Sequence, residues 1–196
     1  MPSYGWSGPA QVPLGATSLT TSSFTASTLS DISPYVVPIP PGNLNLGTRV
    51  RLVAHGSYTG TSTTVTLQFG FYMANVGTVV GSAVVLGLGP AITVISGTGV
   101  PWMADYFGKI AAVSVTANAT TATIVGRGHF YSAAAIGGAW TVSQIPQTLA
   151  AATVVQTANG MNTNAEQNIL LGVTPGASVT NLTNIISDEL TCELVG

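Results

Sequence analysis

A regular alternation of apolar and polar residues over positions 48–73 constrains the fold of this chain more than any other feature. In the second half of this stretch, every other residue is large and apolar: Val65, Leu67, Phe69, Phe71 and Met73. A period of two residues is that of a β-strand with one buried face. The first half alternates in the same way, and the sequence TGTST between the halves is typical of a turn. The stretch therefore predicts a β-hairpin.

Similar alternation recurs along the chain and predicts an all-β protein. The segments 109–116 and 121–131 predict a second hairpin, and the clearest later strands are 167–173, 179–187 and 189–195. The only candidate for a helix is a turn or two at residues 145–152. About eight to ten short strands without internal repeats are typical of a sandwich or barrel. We expect one jelly-roll-like antiparallel β-sandwich at residues 47–196, and its predicted core includes Val50, Leu52, Val65, Leu67, Phe69, Phe71, Trp102, Ile110, Ile124 and Phe130.

The scarcity of charge excludes several classes of protein. Only ten of the 196 residues are charged, about 5% against roughly 25% in an ordinary soluble domain. The four Lys and Arg residues are too few for tight binding to a phosphate backbone, so no nucleic acid partner is expected. No apolar run reaches the length of a transmembrane helix, and the N-terminus lacks the pattern of a secretory signal. The single cysteine cannot form an internal disulfide, which fits folding in a reducing cytoplasm.

The residues able to carry chemistry are few and scattered. His55 and His129 fall on outward strand faces, and neither has a carboxylate or thiolate beside it in sequence to complete a metal site. Asp188 and Glu189 are neighbours, so on a regular strand their side chains point to opposite faces. Cys192 lies within a strand and is expected to be a buried, unreactive thiol. The sequence predicts no enzyme, no metal site and no cofactor.

Low charge instead favours a protein that packs against other molecules. A face without charge can be buried in an interface without desolvating an unpaired ion. Threonine suits such a face, because it favours strands and still interacts with water before assembly. We therefore expect a structural protein that forms a closed, symmetric oligomer.

Residues 1–46 differ from the rest of the chain and predict an extended N-terminal arm. They hold seven of the eleven prolines, a density that disfavours central strands. They also contain large apolar residues that we expect to dock onto a neighbouring subunit or another protein of the assembly: Tyr4, Trp6, Phe24, Ile32, Tyr35, Val37 and Ile39. The alternatives are an arm that covers its own sandwich and a disordered tail.

Three stretches resemble the small jelly-roll proteins that decorate the heads of tailed bacteriophages, also called cement or minor capsid proteins. They are GTRVRLVAHGSYTGTSTTVTLQFGFYM, GTGVPWMADYFGKI and TATIVGRGHFYS. As in that family, a basic strand leads through a Thr/Gly turn into an apolar strand. A Pro-Trp step then enters the next long strand, and a glycine-rich strand follows.

The resemblance covers about residues 45–131 and implies a function as well as a fold. It implies a homotrimer without catalytic activity, made in the host cytoplasm, that binds the major capsid protein on the virion exterior. The capsid shell is then the second surface onto which the N-terminal arm is expected to dock. The expected function is therefore decoration and stabilisation of a phage capsid. The alternative is a receptor- or glycan-binding tip module of a phage fibre or tail.

Overall fold

Strands account for nearly all the regular structure of this chain. The computed structural model describes residues 19–61, 65–77, 79–115, 120–133, 140–145, 164–176 and 179–195. The strands are β1 (Leu19–Thr21), β2 (Ser30–Asp31), β3 (Val37–Ile39), β4 (Arg49–Gly60), β5 (Thr66–Asn75), β6 (Val84–Thr93), β7 (Gly97–Val115), β8 (Thr120–Ala133), β9 (Trp140–Ile145), β10 (Gln167–Pro175) and β11 (Leu182–Val195). The described residues include one 3-10 turn, Val80–Ser82, and no α-helix. Residues 146–152 of the predicted helical turn lie outside them.

Two antiparallel sheets pack against each other. The first has the order β1-β11-β4-β7-β8-β9, and the second has the order β2-β10-β5-β6 with β3 also paired to β10. Early strands pair with late ones in both sheets: β4 with β11 in the first and β5 with β10 in the second. The predicted all-β fold, an antiparallel β-sandwich, is confirmed.

One predicted hairpin is correct and the other is wrong. β7 and β8 pair as neighbours, with Ile110 opposite Ile124, as the segments 109–116 and 121–131 predict. β4 and β5 do not pair, because β4 lies between β11 and β7 while β5 lies between β10 and β6. The chain therefore crosses from one sheet to the other between residues 60 and 66. Alternation shows that both strands have a buried face. The same alternation is found whether two strands pair within one sheet or face each other across a core.

The core lies between the inner faces of the two sheets. All ten predicted core residues are buried, with at most 2% of their surface exposed. Phe69 of the second sheet packs against two rings of the first, with its centroid 4.7 Å from that of Trp102 and 4.8 Å from that of Phe130. Burying each such side chain contributes about 1.5–3 kcal/mol, so these contacts stabilise the packing of the sheets.

The N-terminal segment is part of the sandwich from residue 19 onward, which corrects the boundary expected at residue 46. β1 pairs with β11, and β2 and β3 pair with β10. Ile32, Val37 and Ile39 are at most 2% exposed and belong to the core of their own chain. The expectation that these three side chains contact another molecule is therefore wrong. The short strands tolerate the prolines because they lie at sheet edges, where Pro38 needs no partner for a backbone N–H.

Candidate binding face

The charged residues of the chain gather on one surface, the outward side of β4, β7, β8 and β11, here called the outer face. Alternation turns every second side chain of these strands away from the core. Eight of the ten charged residues lie on this face: Arg49, Arg51, Asp105, Lys109, Arg127, Asp188, Glu189 and Glu193. The remaining two, Asp31 and Glu166, lie on or beside strands of the other sheet. The sandwich therefore has one charged side.

All four cations of the chain form one cluster at an end of the outer face, here called the basic patch: Arg49, Arg51, Lys109 and Arg127. Arg49 lies directly opposite Lys109 on the neighbouring strand. In the next row, Phe107 pairs with Arg51 on one side and Arg127 on the other. Since strands lie about 4.8 Å apart and alternate residues about 7 Å apart, the backbone of the patch spans about 10 Å by 7 Å.

The basic patch forms an open depression of about 460 Å³ with an aromatic floor. The guanidinium of Arg51 lies 5.5 Å from the centre of the Phe107 ring, and its Nη1 is 3.5 Å from Oε2 of Glu193. Phe107 is 46% exposed, so an apolar surface lies among the cations. Among the described residues, Arg49, Lys109 and Arg127 have no ion-pair partner. The arrangement is suited to binding an anion.

The middle of the outer face carries two histidine–carboxylate pairs. Nε2 of His55 lies 2.7 Å from Oε2 of Glu189, and Nδ1 of His129 lies 3.1 Å from Oδ1 of Asp105. The hydroxyl of Tyr131 donates to the other oxygen of Asp105 at 3.3 Å. Burial raises the pKa of Tyr131 above its usual value, and the nearby Asp105 carboxylate raises it further.

These pairs could not be found from sequence neighbours, because their members are 134 and 24 positions apart. Only the register of four strands places them side by side. Within the described part of the chain, no three His, Cys, Asp or Glu side chains group together in a way that suits a metal ion.

The expectation that Asp188 and Glu189 point to opposite faces is wrong. The pairing of β11 with β4 shifts between Ser187 and Glu189, so residue 188 is an extra residue in the strand. Such a β-bulge places two consecutive side chains on one side. Ser187 and Leu190 are buried on either side of the pair, while Asp188 and Glu189 both face outward.

Two further residues expected at an interface of the N-terminal segment, Phe24 and Tyr35, do not lie on the outer face. Phe24 and Tyr35 are partly buried and pack against the core of their own chain. The hydroxyl of Tyr35 accepts a hydrogen bond of 2.8 Å from the backbone N–H of Leu190. Tyr4 and Trp6 lie outside the described residues.

Cys192 is buried on the inward side of β11, as its position in the sequence predicts. Burial, with a smaller contribution from the Glu193 carboxylate, raises the pKa of its thiol to about 12. The thiolate needed for nucleophilic or metal-binding chemistry is therefore scarce at neutral pH.

Comparison with known proteins finds no family model and no curated sequence that matches this chain. No helix in the described ranges has the length and apolar character needed to cross a membrane.

Proposed function

We propose that this chain is a non-enzymatic structural protein of a bacteriophage virion, and that it decorates and stabilises the capsid from outside. The observation that carries this proposal is the one-sided distribution of charge on a β-sandwich, with eight of ten charged residues on the outer face. The resemblance of residues 45–131 to head decoration proteins supports the same function.

The one-sided charge suits a protein with two kinds of contact. Surfaces that hold no charged side chain pack against neighbouring subunits without the cost of burying an unpaired ion. We propose that such contacts form a homotrimer. The outer face remains available for a partner whose charge is complementary, and in this proposal that partner is the major capsid protein.

Binding to capsids that lack the protein tests this function. Purified protein is added to such particles, and its occupancy is measured by electron microscopy and by protein quantification. We expect hundreds of copies per particle and a higher temperature of capsid disruption. Particles that bind no protein, or bind it without any gain in stability, would contradict the proposal.

A receptor- or glycan-binding tip module is the second candidate, and the basic patch favours it. The exposed Phe107 ring is able to stack against a sugar. The arginines beside it are able to pair with the carboxylate of an acidic sugar. Copy number separates the two functions, because a tip module is present in only a handful of copies per virion. Quantitative mass spectrometry of purified virions measures this number.

A further inference from the structure

We propose that the basic patch is a docking surface for an acidic, extended segment of another polypeptide. The identity of that polypeptide as the capsid shell protein rests on the proposed function, whereas the chemistry of the segment follows from the patch itself. The occupant is a strand-like peptide that carries carboxylates at alternate positions.

The register of the sheet places like charges side by side. Arg49 and Lys109 are direct cross-strand partners, an arrangement that destabilises a sheet when nothing neutralises it. A chain with only four cations has ample room to separate them, yet all four lie within one depression. An anion bound across Arg49 and Lys109 converts their repulsion into attraction to a shared partner.

The described side chains do not neutralise the patch. Among them, Glu193 is the only carboxylate that lines the depression, and it is 3.5 Å from Arg51. The four cations and one carboxylate of the described lining give side-chain charges that sum to +3, although the whole chain has a formal charge of −2. Its field therefore attracts an anion at short range and does not attract a large polyanion at long range.

The size of the patch favours a peptide over a nucleic acid. Proteins that bind a duplex through its backbone place cations against several phosphates, about six to ten in a typical case. No Lys or Arg lies outside this patch to extend it. The depression is also open, whereas a site for a small molecule encloses most of its ligand.

An extended acidic peptide matches the two rows of the patch. Alternate side chains on one face of a strand lie about 7 Å apart, the spacing of the rows that contain Arg49 and Arg51. Carboxylates at two such positions reach the Arg49–Lys109 row and the Arg51–Arg127 row together. Phe107 and Val195, which are exposed between and beside the cations, contact the apolar parts of the same peptide.

Fluorescence anisotropy with synthetic peptides tests the proposal on the whole protein. The probe is a short peptide of alternating glutamate and threonine, and the reference is the same peptide with glutamine in place of glutamate. We expect binding of the acidic peptide alone, and weaker binding as salt rises from about 0.05 to 0.5 M. Neutralising each cation should weaken binding about two- to fivefold, so the double variant Arg49→Gln/Lys109→Gln should weaken it about tenfold.

Two variants of equal charge separate a local effect from a change in net charge. Glu193→Gln removes the carboxylate within the depression, and we expect tighter binding of the acidic peptide. Glu166→Gln makes the same change in net charge beside a strand of the other sheet, and we expect no effect. Arg49→Gln/Lys109→Gln should leave the melting temperature unchanged or slightly higher, since both side chains are exposed and their repulsion is removed.

Several results would overturn the inference. They are equal binding of the glutamine peptide, no binding of the acidic peptide, and tighter binding of an oligonucleotide or a sulfated oligosaccharide than of the acidic peptide. Capsid binding gives a separate outcome. If wild-type protein and Arg49→Gln/Lys109→Gln coat capsids equally, the patch is not the capsid contact, while the proposed decoration function stands.

Discussion

The ring of Tyr106 on β7 lies against Gly126 on the neighbouring strand β8, and no side chain larger than hydrogen fits beneath it. A Cβ built on Gly126 overlaps the hydroxyl oxygen and Cζ of Tyr106. Gly108, the cross-strand partner of Gly126, is also restricted, because its Cβ would lie 2.7 Å from Cδ1 of Ile124 and 2.8 Å from Cε1 of Tyr106. The two glycines form a gap in the inner face of the sheet, and Tyr106 fills it.

The first prediction follows from this contact. We expect Gly126→Ala to lower the free energy of unfolding by about 1–3 kcal/mol, the usual effect of forcing extra atoms into a packed core. Chemical denaturation measures the change. Gly81→Ala is the matched control, because a Cβ on Gly81 meets nothing within 4 Å and its backbone is not left-handed. Equal stability of Gly126→Ala and Gly81→Ala would contradict the packing of Tyr106.

The hydroxyl of Tyr106 gives a second prediction. It is buried and has no hydrogen-bond partner among the described residues, and burial raises the pKa of Tyr106 well above its usual value. Removing an unpaired polar group with no change of shape is neutral or stabilising. We therefore expect Tyr106→Phe to match or exceed the wild-type protein in stability at pH 7.

The same variant should change the response to alkali. The raised pKa of Tyr106 means that the unfolded chain ionises first, so stability is complete below about pH 10 and falls as pH rises from there. Tyr106→Phe should reduce this loss, as measured by melting temperature between neutral pH and about pH 11.

Tyr35→Phe is the control for the comparison at pH 7, where we expect it to lower the free energy of unfolding by about 1 kcal/mol because the Leu190 N–H loses its acceptor. A loss for Tyr106→Phe as large as for Tyr35→Phe would show that the Tyr106 hydroxyl has a partner.

A third prediction concerns the reactivity of Cys192. Because burial raises the pKa of its thiol to about 12, the folded protein should react very slowly with a thiol reagent at pH 8. Unfolding in denaturant should restore the rate of an ordinary cysteine. The rate of labelling by a chromogenic disulfide, with and without denaturant, measures the difference. Rapid labelling of the folded protein would show that β11 opens readily.

The fourth prediction tests whether residues 19–46 stabilise the sandwich. Val37, the first residue of β3, is 2% exposed, and Val36 just before it is 58% exposed. The same substitution at these two positions therefore compares a buried valine with an exposed one. We expect Val37→Ala to lower the free energy of unfolding by about 2 kcal/mol and Val36→Ala to change it by less than about 0.5 kcal/mol. Deleting residues 2–40 should destabilise the fold far more. Equal effects of the two valine variants would indicate that the segment lies on the surface.

The sequence predicts the core better than the pairing of strands. Alternation identifies Phe69 and Trp102 as inward residues because each strand must bury one face. Alternation does not identify a strand's partners. For this reason it predicts a hairpin over residues 48–73, although β4 and β5 belong to different sheets. The proline-rich segment was expected to lie outside the sandwich, yet strands of two and three residues at sheet edges avoid the need for donors that proline lacks.

The outer face was even less accessible to sequence analysis. Alternation correctly predicts that His55 on β4 and His129 on β8 point outward. The assembly of the basic patch depends on the register of β4 with β7, which joins residues 60 positions apart. The outward position of both Asp188 and Glu189 depends on a bulge at Asp188, a single extra residue that no period of two anticipates.

The last prediction separates the two kinds of contact through their dependence on salt. If the uncharged surfaces form the subunit interface, assembly involves few ion pairs, and added salt has little to screen. Light scattering of the purified protein should then report a trimer of about 59 kDa, three times the 19.8 kDa of one chain. The trimer should persist from about 0.05 to 1 M salt, and Arg49→Gln/Lys109→Gln should assemble equally well. A monomer at micromolar concentration would contradict the proposed trimer. A trimer that dissociates in salt or in the double variant would instead place the basic patch within the subunit interface.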